Sequence, residues 1–165
     1  MAQFANSVLH IFAGGCIFSN MPKTLVNIDR RSNSVKLGKK RIAEMVTFVA
    51  AAEDRPVAEV DIAIVSSVEM AEMNERFLAH HGDTDVITFD LTEDGGIVVQ
   101  LIVCDDVALR VAEENGLAPA EELSLYIIHG LLHTMGYDDT TPAKFRRMKK
   151  RQMELLEKIQ IAKGK

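Results

Sequence analysis

Apolar and polar positions change period several times along the chain, and each change marks an element. TLVNI (24–28) alternates and predicts a short strand, followed by the basic polar connection RRSNSVKLG. In KKRIAEMVTFVAAAEDR, Ile42, Met45, Val46, Val49 and Ala50 recur at helical spacing, and Pro56 closes the helix. VDIAIVS (60–66) has the β-branched content of a buried strand. Ser66 and Glu69 form a capping-box signature that opens a helix through MAEMNERFLA, with HHGD as the loop beyond. VITFDL (86–91) and IVVQLIVC (97–104) flank TEDGG and predict a hairpin. DDVALRVAEEN reads as a helix stopped by Gly116 and Pro119. Another helix spans about 119–135 and ends at Gly136. Thr141 and Pro142 suit the N-cap and first position of a long C-terminal helix. The predicted order, β-α-β-α-β-β-α-α-α, is that of an α+β single domain, a mixed four-stranded sheet packed with about five helices.

Composition supports an ordered domain. The chain has 165 residues, 47% hydrophobic and 26% charged, enough to bury a core without cross-links. Its apolar runs fall well short of the ~20 residues that span a membrane. Cys16 and Cys104 are the only cysteines, read as reduced thiols in a reducing cytosol, so a cytoplasmic location is expected. MAQFANSVLHIFAGGCIFSN has the outline of a signal or lipoprotein leader ending at Cys16, yet no Lys or Arg precedes its apolar stretch. Residues 1–20 are therefore expected to be a poorly ordered extension, with Met21 as the functional beginning and the domain over 21–165.

The net charge of −5 conceals segregation. Residues 23–41 carry seven Lys/Arg against Asp29 alone, and residues 142–165 carry nine against Glu154 and Glu157. Between them, residues 42–141 carry 21 acidic residues against Arg55, Arg76 and Arg110. Basic ends of this kind fit a polyanionic partner; a basic helix is equally well a solvated face.

The chemistry concentrates at residues 129–139, HGLLHTMGYDD. His129 and His133 lie one turn apart on one helix face, so both imidazoles can reach one point. Ile127, Ile128, Leu131, Leu132 and Met135 supply an apolar shell. Gly136 sits where a left-handed residue would reverse the chain and return position 139 over the histidines. His129, His133 and Asp139 satisfy the three protein ligands of a catalytic zinc site. Asp138 is the competing ligand, or else a helix-end residue making an Asx-type hydrogen bond.

HGLLHTMGYDD resembles HGxLHLxGYDH, the signature of the YbeY-type rRNA maturation endoribonucleases. MNERFLAHHGDTDVITFDL is similar to that family's segment of an Asn followed by a Thr-Asp-Val-Leu-Ser-Phe strand, and the spacing from Asn74 to Thr84 matches. The likeness covers about residues 21–162. It implies one zinc per chain on His129, His133 and position 139, where Asp139 replaces the family's histidine. Leu78 stands where the family often has arginine, and Val99-Gln100 stands nearest the family's Gly-acidic pair.

The resemblance implies zinc-dependent cleavage of single-stranded RNA in small-subunit rRNA processing and ribosome quality control. The implied partners are rRNA, the small ribosomal subunit and a ribosome-assembly GTPase, with no membrane. Arg30, Arg31, Lys36, Lys39, Lys40 and Arg41, with Lys144, Arg146, Arg147, Lys149, Lys150 and Arg151, are the candidates to neutralise RNA phosphates. Two Tyr, seven Phe and no Trp do not indicate base-specific readout. The general base is not evident; Asp85 is the candidate site-supporting carboxylate, and a structural Asp at a strand end is its alternative. Two rivals stand beside this reading. A metalloprotease would need a glutamate after the first histidine, where this chain has Gly130. A non-catalytic ribosome assembly factor with a structural or degenerate metal site would accommodate the changes at positions 78 and 139.

Overall fold

A computed structural model of the protein describes residues 24–79, 81–93 and 96–161. In chain order the elements are β1 (Leu25–Arg30), α1 (Lys39–Ala52), β2 (Val57–Val65), α2 (Ser67–Leu78), β3 (Val86–Asp90), β4 (Ile97–Cys104), α3 (Asp105–Asn115), α4 (Pro119–Thr134) and α5 (Pro142–Ile161). This is the predicted α+β order. The extension expected over residues 1–20 lies outside the described residues. None of the described helices is long and apolar enough to cross a membrane.

Element ends differ from the pattern by a few residues, for local reasons. α1 stops at Ala52 because Glu53 caps it and Asp54 turns left-handed at φ 51, so its predicted last residues form the turn. β2 starts at Val57, earlier than its alternation suggests, because pairing reaches back to the Pro56 carbonyl, which accepts from Ile97 N–H at 3.1 Å. At α2, the Ser66 hydroxyl accepts from Glu69 N–H at 3.4 Å, while the Glu69 carboxylate goes to Arg31 at 2.6 Å.

The sheet order is β1-β2-β4-β3. β1, β2 and β4 run parallel, and β3 pairs antiparallel with β4 as the predicted hairpin, leaving β3 at an edge. The period-2 pleat sends Val60, Ile62, Ile64, Val99, Leu101 and Val103 to one buried face. These join Ile42, Val46 and Val49 of α1 and Leu123, Ile127 and Leu131 of α4 in one core. On the other face the Asn27 amide donates to Glu59 at 3.0 Å and to Asp61 at 2.8 Å.

α4 crosses the β3–β4 hairpin so closely that a glycine is required. A Cβ at Gly130 would stand 2.6 Å from Leu101 Cδ2, 2.9 Å from Thr88 Oγ1 and 3.4 Å from Val86 Cγ2. The helix axis is set by that contact.

Gly130→Ala is therefore expected to destabilise the fold. Overpacking costs about 1–3 kcal/mol, against a helix-propensity gain for alanine of about 1 kcal/mol. The net effect is a midpoint lowered by a few degrees in thermal unfolding. A raised midpoint would mean that α4 is not held against β3 and β4 at this point.

Candidate metal centre

The site is built from the end of α4. Pro119 opens the helix, and its buried stripe includes Leu123, Ile127, Ile128, Leu131 and Leu132. His129 and His133 emerge beside that stripe, with side chains 20% and 32% exposed. They are thus anchored at the base and open at the tip.

The turn after α4 is a complete Schellman motif. Gly136 takes φ 92, its N–H bonds the His133 carbonyl at 3.1 Å, and Tyr137 N–H bonds the Leu132 carbonyl at 3.0 Å. Tyr137 then locks the reversal from outside. Its hydroxyl donates to Glu53 Oε2 at 3.0 Å, and Arg151 of α5 donates to Glu53 Oε1 at 2.6 Å and to the Ala52 carbonyl at 3.2 Å. Burial beside the Glu53 carboxylate pushes the Tyr137 phenol above its ordinary pKa, so it remains a donor at neutral pH.

The reversal places Asp139 over the histidine face. Asp139 Oδ2 lies 3.6 Å from His129 Nε2 and 4.0 Å from His133 Nε2, and the two Nε2 atoms are 3.0 Å apart. Donors on a tetrahedral zinc, with bonds of ~2.0–2.2 Å, stand about 3.3–3.6 Å from one another. Among the described residues these three form the group able to hold a metal ion.

The imidazole chemistry fits that use. Gln152 of α5 donates through Nε2 to the Leu125 carbonyl at 3.3 Å, which turns its Oε1 toward His129 Nδ1, also at 3.3 Å. Nδ1 then carries the proton, and the Nε2 lone pair faces His133. Two imidazole edges at 3.0 Å repel unless a proton or a cation lies between them. The donor set therefore suits a borderline-soft divalent ion, two nitrogens and one carboxylate oxygen.

Asp138, the competing carboxylate, is otherwise engaged. Its Oδ1 accepts from Thr140 N–H at 2.9 Å, and Oδ2 accepts from the Thr140 hydroxyl and from Lys144. Lys144 and the Thr140 donors hold its carboxyl well below the usual carboxylate range. This is the Asx-type arrangement, and it starts α5: Thr141 Oγ1 accepts from Lys144 N–H at 3.3 Å, with Pro142 at the first helical position.

The histidines face a groove of about 410 Å³ whose opposite wall is the edge strand β3, through Asp85, Val86, Thr88 and Asp90. Asp85 lies at the mouth of this groove but outside the three-donor group. Its Oδ1 accepts from the Thr84 hydroxyl at 3.0 Å and from Val86 N–H at 2.9 Å, the work of a strand-start residue. Leu78 closes α2. Arg76, two residues earlier, lies with its guanidinium 5.4 Å over the Phe77 ring. Val99 is buried in the core and Gln100 is exposed on the other side of the sheet.

Several of the amino-terminal basic candidates are structural. Arg30 donates to the Val35 and Leu37 carbonyls, Arg31 pairs with Asp29 and Glu69, Lys39 bonds the Ile28 carbonyl, and Arg41 bonds the Ile159 carbonyl. Sequence reasoning missed Gln152, Thr88 and Asp90. Gln152 carries no local signal, since its partner is on another helix.

Fold and site together define an α+β domain with a metal-capable His-His-Asp group whose histidines line a groove. The profile of the family "Endoribonuclease YbeY" matches residues 27–160. An Endoribonuclease YbeY of Thermobifida fusca (strain YX) is 32% identical over 143 residues, 79% of this chain and 92% of that protein. One from Nocardioides sp. (strain ATCC BAA-499 / JS614) is 35% identical over 131 residues, 71% of this chain and 86% of that protein. The solution structure of TM1509 from Thermotoga maritima is similar with a TM-score of 0.61 at 26% identity, covering 82% of this chain and 89% of that one. The chain belongs to the Endoribonuclease YbeY family.

Removing the Gln152 carbonyl frees the His129 ring to rotate. Gln152→Leu is expected to weaken zinc binding by about 10–100-fold in a competitive chelator titration. Asp138→Ala should leave zinc affinity within a few-fold of wild type while lowering the unfolding midpoint. A larger loss from Asp138→Ala than from Asp139→Ala would exchange their roles.

Proposed function

We propose that the protein is a zinc-dependent endoribonuclease acting on single-stranded RNA in the maturation of small-subunit rRNA and in ribosome quality control. One zinc per chain is held by His129, His133 and Asp139. The observation that carries the reading is the three-donor group beside the groove, in a chain belonging to the Endoribonuclease YbeY family.

When bound, the metal supplies Lewis acidity toward a phosphoryl oxygen and a water nucleophile near neutral pH. The chain's own residues set the rest. Gln152 fixes the His129 ring, and the Tyr137–Glu53–Arg151 network fixes the turn carrying Asp139. Asp139 contributes a negative charge where the family signature has a neutral imidazole, so the centre is a weaker electrophile with an optimum at higher pH. β3 and α5 flank the histidines, and the basic residues of α5 attract the RNA backbone, which makes binding salt-dependent. The expected partners are the small ribosomal subunit and a ribosome-assembly GTPase, in the cytoplasm.

A second reading is favoured by Asp139 itself: an assembly factor that binds small-subunit particles through a structural metal site and does not cleave. Proteolysis is disfavoured on steric grounds. The zincin general base would fall at position 130, where even a Cβ would stand 2.6 Å from Leu101 Cδ2.

Elemental analysis of the purified protein should find near one zinc per chain, lost in His133→Ala and in Asp139→Ala. A labelled unstructured RNA should be cut by the zinc-loaded protein, spared after chelation and cut again when zinc is restored. Zinc-loaded protein that binds small-subunit particles but leaves RNA whole would select the assembly-factor reading. Zinc content indifferent to Asp139 would remove that residue from the centre.

A further inference from the structure

We propose that Phe145 and Lys149, on the stretch of α5 that runs beside the end of α4, form a subsite for one nucleotide of the RNA, the ring stacking on an unpaired base and the ammonium meeting its phosphate. This rests on the endoribonuclease reading above.

The placement follows from how α5 runs along α4. Gln160 bonds Glu121 at 2.7 Å, and Gln152 bonds the Leu125 carbonyl and His129 Nδ1, so the two helices are antiparallel. Moving toward the start of α5 therefore moves along α4 toward His133 and Gly136. Phe145 lies seven residues before Gln152, two helical turns on nearly the same face, a rise of about 10 Å. That displacement brings it from the level of His129 to the end of α4, where the chain turns to present Asp139. Lys149 stands one turn from Phe145 on the same stripe, nearly level with His133.

The side chains have no structural employment that explains them. Phe145 is 48% exposed and takes no part in the core cluster, at the cost of leaving a large apolar ring in water. Lys149 Nζ lies 5.7 Å over that ring. Among the described residues neither Lys149 nor Arg146 is paired with a carboxylate, whereas Lys144 and Arg151 are. A base stacked on the ring would displace the ammonium, which then has a phosphate within reach. Every base has a π-face, so such a platform is tolerant of sequence.

The opposite wall offers no equivalent. β3 presents Asp85, Val86, Thr88 and Asp90 to the groove. Its one aromatic, Phe89, points to the other side of the sheet, where it meets Phe77 edge-on with centroids 5.5 Å apart. Around the groove, stacking and positive charge therefore coincide on the α5 side; the other exposed ring under a guanidinium, Phe77 beneath Arg76, packs against Phe89 on the far side of the sheet. A strand held there is anchored on one flank of the histidines and passes beneath β3 on the other.

The chain contains no tryptophan, so Phe145→Trp creates a single fluorescent reporter. It would be titrated, with chelator present to keep the strand whole, against oligouridylate and against an abasic ribose-phosphate strand of the same length. The control is Phe77→Trp, at a ring 52% exposed on the far side of the sheet. Oligouridylate should quench the Phe145→Trp protein saturably and the Phe77→Trp protein little, and the abasic strand should quench neither. By anisotropy of labelled oligouridylate, Phe145→Ala and Phe145→Leu should bind about tenfold more weakly, with Phe145→Tyr close to wild type. Equal quenching at both positions, or none at 145 while the oligonucleotide binds, overturns the subsite. If the wild-type protein still cuts RNA when zinc is supplied, only the subsite falls. If it neither binds nor cuts RNA, the endoribonuclease reading falls first.

Discussion

The packing of α4 on the β3–β4 hairpin at Gly130 fixes where both imidazoles of the candidate centre stand. Leu101 Cδ2 and Thr88 Oγ1 stand where a side chain would begin, so the helix backbone rests directly on the sheet. One consequence is rigidity: a helix in van der Waals contact with two strands cannot roll without opening the core. Another is geometric. His129 follows the buried Ile128 and His133 follows the buried Leu132, so both imidazoles inherit a fixed angle. Thr88 and Val86 are at once the floor under Gly130 and part of the wall facing the histidines. The strand that positions the helix therefore also shapes the groove.

The third donor depends on a different kind of constraint. Asp139 is attached through a turn, and an isolated turn would not hold a carboxylate to within a few tenths of an ångström. Here the Schellman bonds define the path out of the helix, and Tyr137 ties it to Glu53, which Arg151 reaches from α5. Glu53 is itself the cap of α1. Three helices thus meet at one carboxylate, whose side chain is only 9% exposed and whose charge is met by a bidentate-capable guanidinium. Asp138 uses both oxygens to begin α5. The two adjacent aspartates divide the work, one starting the next helix and the other left free to face the imidazoles.

Much of this was legible in the sequence because it is local. The i, i+4 histidines, the glycine at the helix end and the Thr-Pro start of α5 each follow from spacing along one element, and the structure contains all three. The sequence favours Asp139 over Asp138 without excluding the latter, because both suit a helix-end turn. The choice turns on Thr140 and Lys144, which engage Asp138 and whose approach depends on where α5 begins. Gln152 was illegible for the same reason: nothing at 152 reveals which residue of α4 lies beside it. The amino-terminal basic run is partly used within the fold. Its charge density suggested a nucleic-acid face, yet Arg30 and Arg41 bind backbone carbonyls of their own fold. A guanidinium used to satisfy buried carbonyls reads, in sequence, like one used to hold phosphate.

That redistribution changes what the charge segregation means. With several of the first basic residues consumed, the cations without a carboxylate partner among the described residues include Arg146 and Lys149 of α5. The opposite face of the sheet carries Asp29, Glu59 and Asp61, the last two bridged by the Asn27 amide and Asp29 paired with Arg31. A polyanion approaching the basic residues of α5 meets attraction. At physiological ionic strength the field fades over about 8 Å, so only charges near the groove guide the last stage of docking. Orientation on RNA can therefore come from where the unpaired cations stand, without any base-specific contact and in a protein whose net charge is negative.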